Sequence, residues 1–228
     1  MTDSHCHLAD EAFASDLEAV VARARAAGVE RGLVILEAGN EKESAQALRV
    51  ERLWPDIRFA IGVHPHHAHQ FADAPGRVAD LVREQWAATP SARAVGEIGL
   101  DYHYDLSPRE VQQAVFRAQV ALARELARPI VVHTREADAD TLAILREEGR
   151  GDLHGVLHCF TGTKELARAG LDLGFYISLA GIITFPKAGD LRDIVRAVPV
   201  GRLLAETDSP FLAPVPHRGK RNEPAWVA

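Results

Sequence analysis

The chain has 228 residues, enough for one large hydrophobic core or a single α/β barrel. Its net charge of −6 excludes a protein that coats nucleic acid along its length, because such proteins are basic. The two cysteines are too few for a disulfide framework, and no signal segment or apolar run of about 18 residues is seen. We therefore expect one cytoplasmic domain over residues 1–228, with no membrane segment and no obligate protein partner.

Short apolar runs alternate with amphipathic stretches along the whole chain. Most of these runs are apolar throughout, which is typical of parallel strands that are buried on both faces. They predict eight strands, over residues 2–7, 32–36, 59–63, 94–98, 130–133, 156–159, 175–179 and 203–206. The stretches between them predict helices over residues 16–27, 42–53, 76–88, 108–127, 138–148, 164–173 and 188–197.

Eight strand–helix units predict a (β/α)8 TIM barrel. A doubly wound open sheet is the rival fold, but no Gly-rich phosphate-binding turn follows the first strand. The clearest helix is 108–127, for which Ser107 is the expected N-cap. After residue 214 the sequence is mostly loop, so we predict that the last helix is truncated or missing. An apolar groove between the first and last helices would result.

Six histidine and carboxylate side chains fall at predicted carboxyl ends of strands, where barrel enzymes hold their functional residues. They are His5, His7, Glu97, His133, His158 and Asp208. Each is an unusual residue for the end of a buried apolar strand unless it is paired or binds a metal. Strands one and eight are neighbours in a closed barrel, so Asp208 can join His5 and His7. His133 and His158 come from adjacent strands, and Glu97, across the mouth, can bridge both groups.

Six nitrogen and oxygen ligands are more than one four-coordinate ion needs, and they suit two divalent ions that share a carboxylate. Ligation without thiolate favours Zn, Mn, Fe, Co or Ni, and Mg less strongly. Cys6 and Cys159 alternate away from the predicted site, so we interpret both as packing residues.

Seven motifs together resemble the TatD family of metal-dependent deoxyribonucleases, from Asp3 to about Pro224. They are DSHCHL, GVHPH, GEIGLDY, VVHTRE, HCFTG, ETDSPFLAP and HRGKRNEP. The resemblance implies a (β/α)8 barrel with two divalent ions (Mg, Mn or Zn) and 3′→5′ trimming of DNA, with single-stranded ends as the expected partner. By position, it implies that His5, His7, Glu97 and Asp208 hold one ion. It implies that Glu97, His133 and His158 hold the other.

Several further residues are candidates for catalysis and substrate binding. We expect Asp208 to accept a proton from the attacking water, with Glu97 as the second catalytic carboxylate. His64, His66 and Arg135 follow predicted strands and are expected to contact substrate phosphate, Arg135 as a fork-shaped donor. Tyr102 is a candidate for stacking on a base, the basic run 217–221 for holding the backbone, and Glu206 for orienting a ligand.

Two other functions fit the same residues. The site would also suit hydrolysis of a carboxylic ester or amide, such as an aminoacyl-tRNA ester. Alternatively, a truncated barrel would bind metal or nucleic acid without turnover.

Overall fold

The computed structural model describes residues 1–228 and contains one eight-stranded parallel sheet in which each strand pairs with the next. The strands are β1 Thr2–Cys6, β2 Arg31–Glu37, β3 Ile57–Gly62, β4 Ala92–Asp101, β5 Ile130–Arg135, β6 Gly155–Leu157, β7 Tyr176–Leu179 and β8 Leu203–Ala205. The α-helices are α1 Leu17–Ala26, α2 Glu41–Leu53, α3 Arg77–Ala88, α4 Arg109–Glu125, α5 Asp138–Gly149, α6 Lys164–Asp172 and α7 Gly189–Val195. The predicted (β/α)8 barrel is confirmed. No helix combines the length and the apolar character needed to cross a membrane.

Two apolar layers follow from the alternation of side chains along the strands. The larger layer lies between the sheet and the helices and buries side chains such as Trp54 and Phe116 completely. The smaller one fills the barrel interior with short side chains, including Ile35, Ala60 and Ala94. Each fully buried Leu or Phe contributes about 1.5–3 kcal/mol through removal from water. This packed interior forms a floor beneath the polar strand ends.

Helix α4 fixes the ends of two strands through glutamines on its buried face. Gln119 accepts the Val63 N–H at 2.7 Å and donates to the Val63 carbonyl at 3.1 Å. Gln112 accepts the Asp101 N–H at 2.8 Å and donates to the Asp101 carbonyl at 3.2 Å. These bonds satisfy buried backbone groups where the chain leaves the sheet. The residues that follow β3 and β4 are therefore held in fixed positions.

Two local predictions are wrong. Ser107 does not cap α4, since its hydroxyl donates to the His66 carbonyl and accepts the His69 N–H, both at 3.0 Å. It is recruited by the 3₁₀ helix Pro65–Phe71, which follows β3. Strand β4 does not end near residue 98 but continues to Asp101, which places Glu97 within the strand. Its extension requires Gly99, because a Cβ atom there would lie 1.9 Å from the His133 carbonyl oxygen of β5.

The eighth helix position is taken by a short 3₁₀ helix, Pro224–Val227, as the prediction of a truncated or missing helix implied. This turn packs against α1 and β1, and Val227 joins the main apolar core. Just before it, Glu223 forms an ion pair with Arg23 of α1, with 2.5 Å between Nη2 and Oε2. The predicted open groove beside α1 is therefore wrong, because the end of the chain covers it.

Candidate metal centre

Glu97 lies at the centre of the polar strand ends and presents one carboxylate oxygen to each of two groups. Its Oε2 is 3.3 Å from His5 Nε2 and 3.9 Å from His7 Nε2. Its Oε1 is 2.7 Å from His133 Nδ1 and 2.6 Å from His158 Nε2. We call His5, His7, Glu97 and Asp208 the first donor set, and Glu97, His133 and His158 the second. One carboxylate is thus shared by both sets.

The first donor set is assembled where β1 meets the segment after β8. His5 and His7 Nε2 lie 3.2 Å apart, and Asp208 Oδ1 lies 3.5 and 3.4 Å from them. Two backbone bonds hold this arrangement, from Asp208 N–H to the His5 carbonyl at 3.0 Å and from His7 N–H to the Ser209 carbonyl at 2.8 Å. The alternation along β1 places both imidazoles on one face, as the sequence indicated.

The second donor set comes from neighbouring strands β5 and β6. His133 Nδ1 and His158 Nε2 lie 3.3 Å apart. Glu206 lies on the far side of His158, with 3.3 Å between its Oε1 and His158 Nδ1. Glu206 is itself held by the Cys159 N–H at 2.7 Å and by the Ser178 hydroxyl. Its position matches the orienting role expected from the sequence, because it contacts the imidazole nitrogen that points away from Glu97.

These donor atoms fit a divalent ion. Atoms bound to one ion at about 2.1 Å lie about 3.0–3.4 Å apart, close to the separations within the first donor set. The groups His5–His7–Glu97 and His64–Glu97–His133 each converge within 4.8 Å. No lysine or arginine contacts Glu97 or Asp208, so these carboxylates have only imidazoles as partners. Nitrogen and oxygen donors of this kind suit divalent transition metals.

The electrostatics keep both carboxylates ready to bind a cation. Burial alone would raise the pKa of Glu97, but the charge of His158 and the hydrogen bond with His133 outweigh it and hold that pKa well below its ordinary value. The pKa of Asp208 is also lowered, because the hydrogen bond from His7 and the charges of the imidazoles overcome its burial. Burial, reinforced by His158, lowers the pKa of His5. His5 is therefore a neutral imidazole, the form that binds a metal.

The predicted phosphate contacts lie beside the second donor set. His64 Nδ1 accepts the His66 N–H at 3.2 Å, so its proton sits on Nε2, which lies 3.4 Å from Glu97 Oε1. Burial lowers the pKa of His64 to about 3. His66 Nε2 lies 2.9 Å from Asp101 Oδ2. Arg135 reaches the cavity mouth and lies over the ring of Tyr104, with 4.7 Å from Cζ to the ring centroid.

Asp101 is the functional residue that the sequence interpretation missed. It is fully buried, and its Oδ2 accepts from His66 and from His133 Nε2, the latter at 3.1 Å. Its Oδ1 accepts the N–H groups of His103 and Tyr104 at 3.0 and 2.8 Å. Burial would raise the pKa of Asp101, but these bonds lower it. Its spacing was the available signal, because Glu97, Gly99 and Asp101 share one face of a strand.

Three minor expectations are corrected. The Tyr102 hydroxyl donates to Asp140 at 2.7 Å, so this ring is a packing residue rather than a base platform. In the basic run, Arg221 pairs with Asp16, and neither it nor its neighbours line the cavity. Cys6 is buried as expected, but Cys159 lines the cavity, because its positive φ of 42° turns the chain there.

A cavity of about 630 Å³ opens above the two donor sets, a size common for small-molecule sites. Its walls differ in character. One wall carries Asp10, Glu37 and Glu43, and another carries Arg135, the single lysine or arginine among the lining residues. The third is apolar, formed by Ile182, Phe211 and Leu212. The cavity therefore offers metal-binding donors at its floor and contrasting surfaces at its rim.

Comparison with known proteins agrees with this geometry. Residues 2–228 match the family model described as TatD related DNase. The uncharacterized metal-dependent hydrolase YcfH of Escherichia coli (strain K12) is 47% identical over 230 residues, covering 100% of this chain and 84% of that protein. The 3'-5' ssDNA/RNA exonuclease TatD of Edwardsiella piscicida is 41% identical over 233 residues, covering 100% and 87%.

A solved structure extends the agreement to three dimensions. The crystal structure of YJJV, a TatD homolog from Escherichia coli k12, superposes with a TM-score of 0.87 at 30% identity, covering 100% of this chain and 86% of that one. Family match, relatives and fold all point the same way. The chain belongs to the family of TatD-related DNases and is a metal-dependent hydrolase.

Proposed function

We propose that this protein removes nucleotides one at a time from the 3′ ends of single-stranded DNA, using two divalent ions. The observation that carries the proposal is Glu97, whose two oxygens face two separate donor sets at the floor of one cavity. The relative from Edwardsiella piscicida, a 3'-5' ssDNA/RNA exonuclease by name, supports the choice of substrate. The cytoplasmic location and the single domain over residues 1–228 stay predictions.

The first donor set would hold one ion and the second donor set the other, with Glu97 between them. Ions such as Mg, Mn or Zn would polarise a phosphoryl oxygen and make a water molecule more acidic. Asp101 would keep His133 oriented by accepting from Nε2, and Glu206 would orient His158 because its Oε1 lies 3.3 Å from Nδ1; both nitrogens face away from Glu97.

The protein's own groups would then direct the hydrolysis. As the oxygen of a water molecule bonds to phosphorus, the bond from phosphorus to the 3′ oxygen of the preceding nucleotide breaks. Asp208 lines the cavity with a lowered pKa, so it is ionised and able to accept the proton of that water. We assign phosphate contacts to His64, His66 and Arg135, which line the same cavity. The departing 3′ oxygen takes up a proton from solvent water, and the products are a 5′-mononucleotide and a strand shorter by one nucleotide.

The charge distribution favours strand ends over long duplexes. The protein carries −6 overall, and Arg135 is the sole lysine or arginine that lines the cavity. Attraction for a polyanion must therefore be local and limited to a few phosphates. A cavity of about 630 Å³ also suits one or two nucleotides better than a double helix.

The direct test is hydrolysis of a 5′-labelled single strand by protein supplied with Mg²⁺, Mn²⁺ or Zn²⁺. We expect a ladder that shortens from the 3′ end, release of 5′-mononucleotides, and loss of activity in Asp208→Asn and Glu97→Gln. Absence of cleavage with every ion would overturn the proposal. Hydrolysis of carboxylic esters alone would assign the site to that chemistry, and metal binding without any turnover would assign a binding role.

A further inference from the structure

Two exposed aromatic side chains stand at the mouth of the cavity. Phe211 is 54% exposed and Tyr104 is 55% exposed, although both line the cavity. Phe211 adjoins the first donor set, and Tyr104 adjoins a histidine beside the second. Phe211 meets the edge of His7 at a centroid distance of 5.9 Å, and Tyr104 meets the edge of His66 at 5.5 Å. Half-exposed aromatic rings beside the metal-binding donors indicate a surface suited to a flat ligand with an apolar face.

The backbone that carries each ring is held in place by neighbouring groups. Phe211 donates its N–H to the Asp208 carbonyl at 2.9 Å, and the buried Asn222 donates to the Phe211 carbonyl at 2.7 Å. Arg135 lies over one face of Tyr104, whose N–H donates to Asp101. The backbone N–H of each aromatic residue is thus bound by a residue of the site, Asp208 or Asp101. Little conformational freedom would be lost when a ligand binds.

The rings lie on opposite sides of the barrel mouth. Phe211 follows β8, and Tyr104 follows β4, which is four strands away in an eight-stranded barrel. A phosphate placed over Glu97 would therefore have one ring on either side. This arrangement suits a phosphodiester, which carries one nucleoside on each of its two ester oxygens.

We propose that Phe211 and Tyr104 are stacking sites for the two unpaired nucleobases that flank the scissile phosphate. The assignment rests on the proposed nuclease function. Aromatic rings bind any base through its face, and a base becomes available for this when its strand is not paired and stacked in a duplex. The two rings would accordingly select single-stranded ends without regard to sequence.

The charges at the rim decide which base goes to which ring. Phe211 lies with Ile182 and Leu212 on the apolar wall, which offers no cation. It suits the 3′-terminal nucleoside, which has no phosphate beyond the scissile one. Tyr104 lies beneath Arg135 and suits the penultimate nucleoside, whose own 5′ phosphate needs a cation. The wall with Asp10, Glu37 and Glu43 would repel the strand, so the backbone would leave past Arg135.

The test uses single strands in which the terminal or the penultimate base is replaced by an abasic tetrahydrofuran residue. In the wild type, each replacement should raise KM by about 5- to 150-fold, the effect expected from one base–aromatic stack. Phe211→Leu should abolish the penalty for the terminal abasic residue alone. Tyr104→Leu should abolish the penalty for the penultimate one alone, and Phe211→Trp should restore the first.

A matched control is available at the opposite end of the barrel. Tyr176 starts β7, is 36% exposed, and has Arg202 5.0 Å from its ring centroid, a pair like Tyr104 and Arg135. Tyr176→Leu should leave every ratio unchanged. A Phe211→Leu protein that keeps the full terminal penalty would overturn the stacking assignment while leaving the nuclease function intact.

A binding measurement separates the stacking sites from the catalysis. A strand that ends in 2-aminopurine should lose fluorescence when it binds the wild type, and should not lose it with Phe211→Leu. Quenching without cleavage would support the stacking sites and refute the nuclease proposal. Neither quenching nor cleavage would refute both.

Discussion

Replacing Asp101 by asparagine should weaken metal binding by the second donor set and leave metal binding by the first unchanged. Asp101 Oδ1 is anchored by the N–H groups of His103 and Tyr104, so the amide nitrogen of an asparagine would take the place of Oδ2. That nitrogen only donates, so His133 Nε2 must become an acceptor. His133 would then have to keep its single ring proton on Nδ1, which lies 2.7 Å from Glu97 Oε1. The atom assigned to bind an ion would be blocked.

The expected magnitude follows from the role of Asp101 behind the ligand. Loss of such a partner typically weakens metal binding about 10- to 100-fold, which corresponds to about 1.4–2.7 kcal/mol. His5, His7 and Asp208 make no contact with Asp101, so the first donor set should keep its affinity.

Two measurements check this expectation. Calorimetric titration with Mn²⁺ or Zn²⁺ should show one weakened site and one unchanged site. In the metal-free wild type, hydrogen bonds with Asp101 and Glu97 outweigh burial and raise the pKa of His133, so both ring nitrogens carry protons. The ¹⁵N shifts of His133 should therefore report a change from this doubly protonated form to the Nδ1–H tautomer in the variant. Asp140→Asn is the matched control, because Asp140 accepts from Tyr102 and Gln113 outside the cavity. An unchanged His133 tautomer, or equal weakening of both sites, would refute the reasoning.

Three further predictions follow. Glu97→Gln should lower the occupancy of both metal sites, whereas His158→Ala should empty mainly one of them. Native mass spectrometry would count the bound ions, and equal losses in the two variants would mean that Glu97 does not bridge the sites. Burial raises the pKa of Asp3 from 3.8 to about 7, so the stability it contributes is complete below about pH 4 and is lost as pH rises through 7. Asp3→Asn keeps the bond from the Thr207 N–H and reverses the direction of the bond with the Thr207 hydroxyl, since an amide nitrogen only donates. It should flatten the unfolding free energy across that window, a change on the order of 4 kcal/mol in denaturant titrations, and an unchanged pH slope would contradict it. Binding of short strands to metal-loaded Asp208→Asn should depend weakly on salt, as for about one to three neutralised phosphates, and a slope steeper than about −5 in log affinity against log salt would indicate an extended basic track.

The sequence predicted the barrel and the grouping of donors because parallel strands leave simple signals. Buried strands are apolar throughout, and their carboxyl ends meet at one rim of the barrel. The sequence alone therefore predicts that His133 and His158 lie together, and the pairing of β5 with β6 brings them there. The carboxyl end of strand β4 was not predicted correctly in this way. The predicted end near residue 98 was too early, because Gly99 permits the close approach of β5. The strand therefore continues far enough to place Asp101 behind the site.

Other features depend on tertiary contacts that no local pattern reports. Gln112 and Gln119 are polar residues on the buried face of α4, and their partners are backbone groups of other elements. Tyr102 and Tyr104 cannot be ranked from sequence, because the turn after β4 decides which ring packs inside. That turn is set by two N–H groups donating to Asp101, which directs Tyr104 to the cavity mouth.

The two donor sets differ in how the barrel supports them, and this difference predicts how metal binding couples to stability. The second set lies on β5 and just after β6, and β4, β5 and β6 are joined by backbone pairing. The first set instead spans the junction of β1 and β8, which is closed by the bonds of His7 and Asp208 and by Thr207 donating to Asp3 at 2.9 and 2.6 Å. Opening this junction would separate His5 and His7 from Asp208. An ion bound by the first set would therefore oppose opening and stabilise the closed barrel, by an amount that rises with the logarithm of its affinity. Hydrogen exchange should show metal-dependent protection of the His7 and Asp208 amides, with little change at the β5 amides. Uniform protection of all strands would mean that the junction is no weaker than the rest of the barrel.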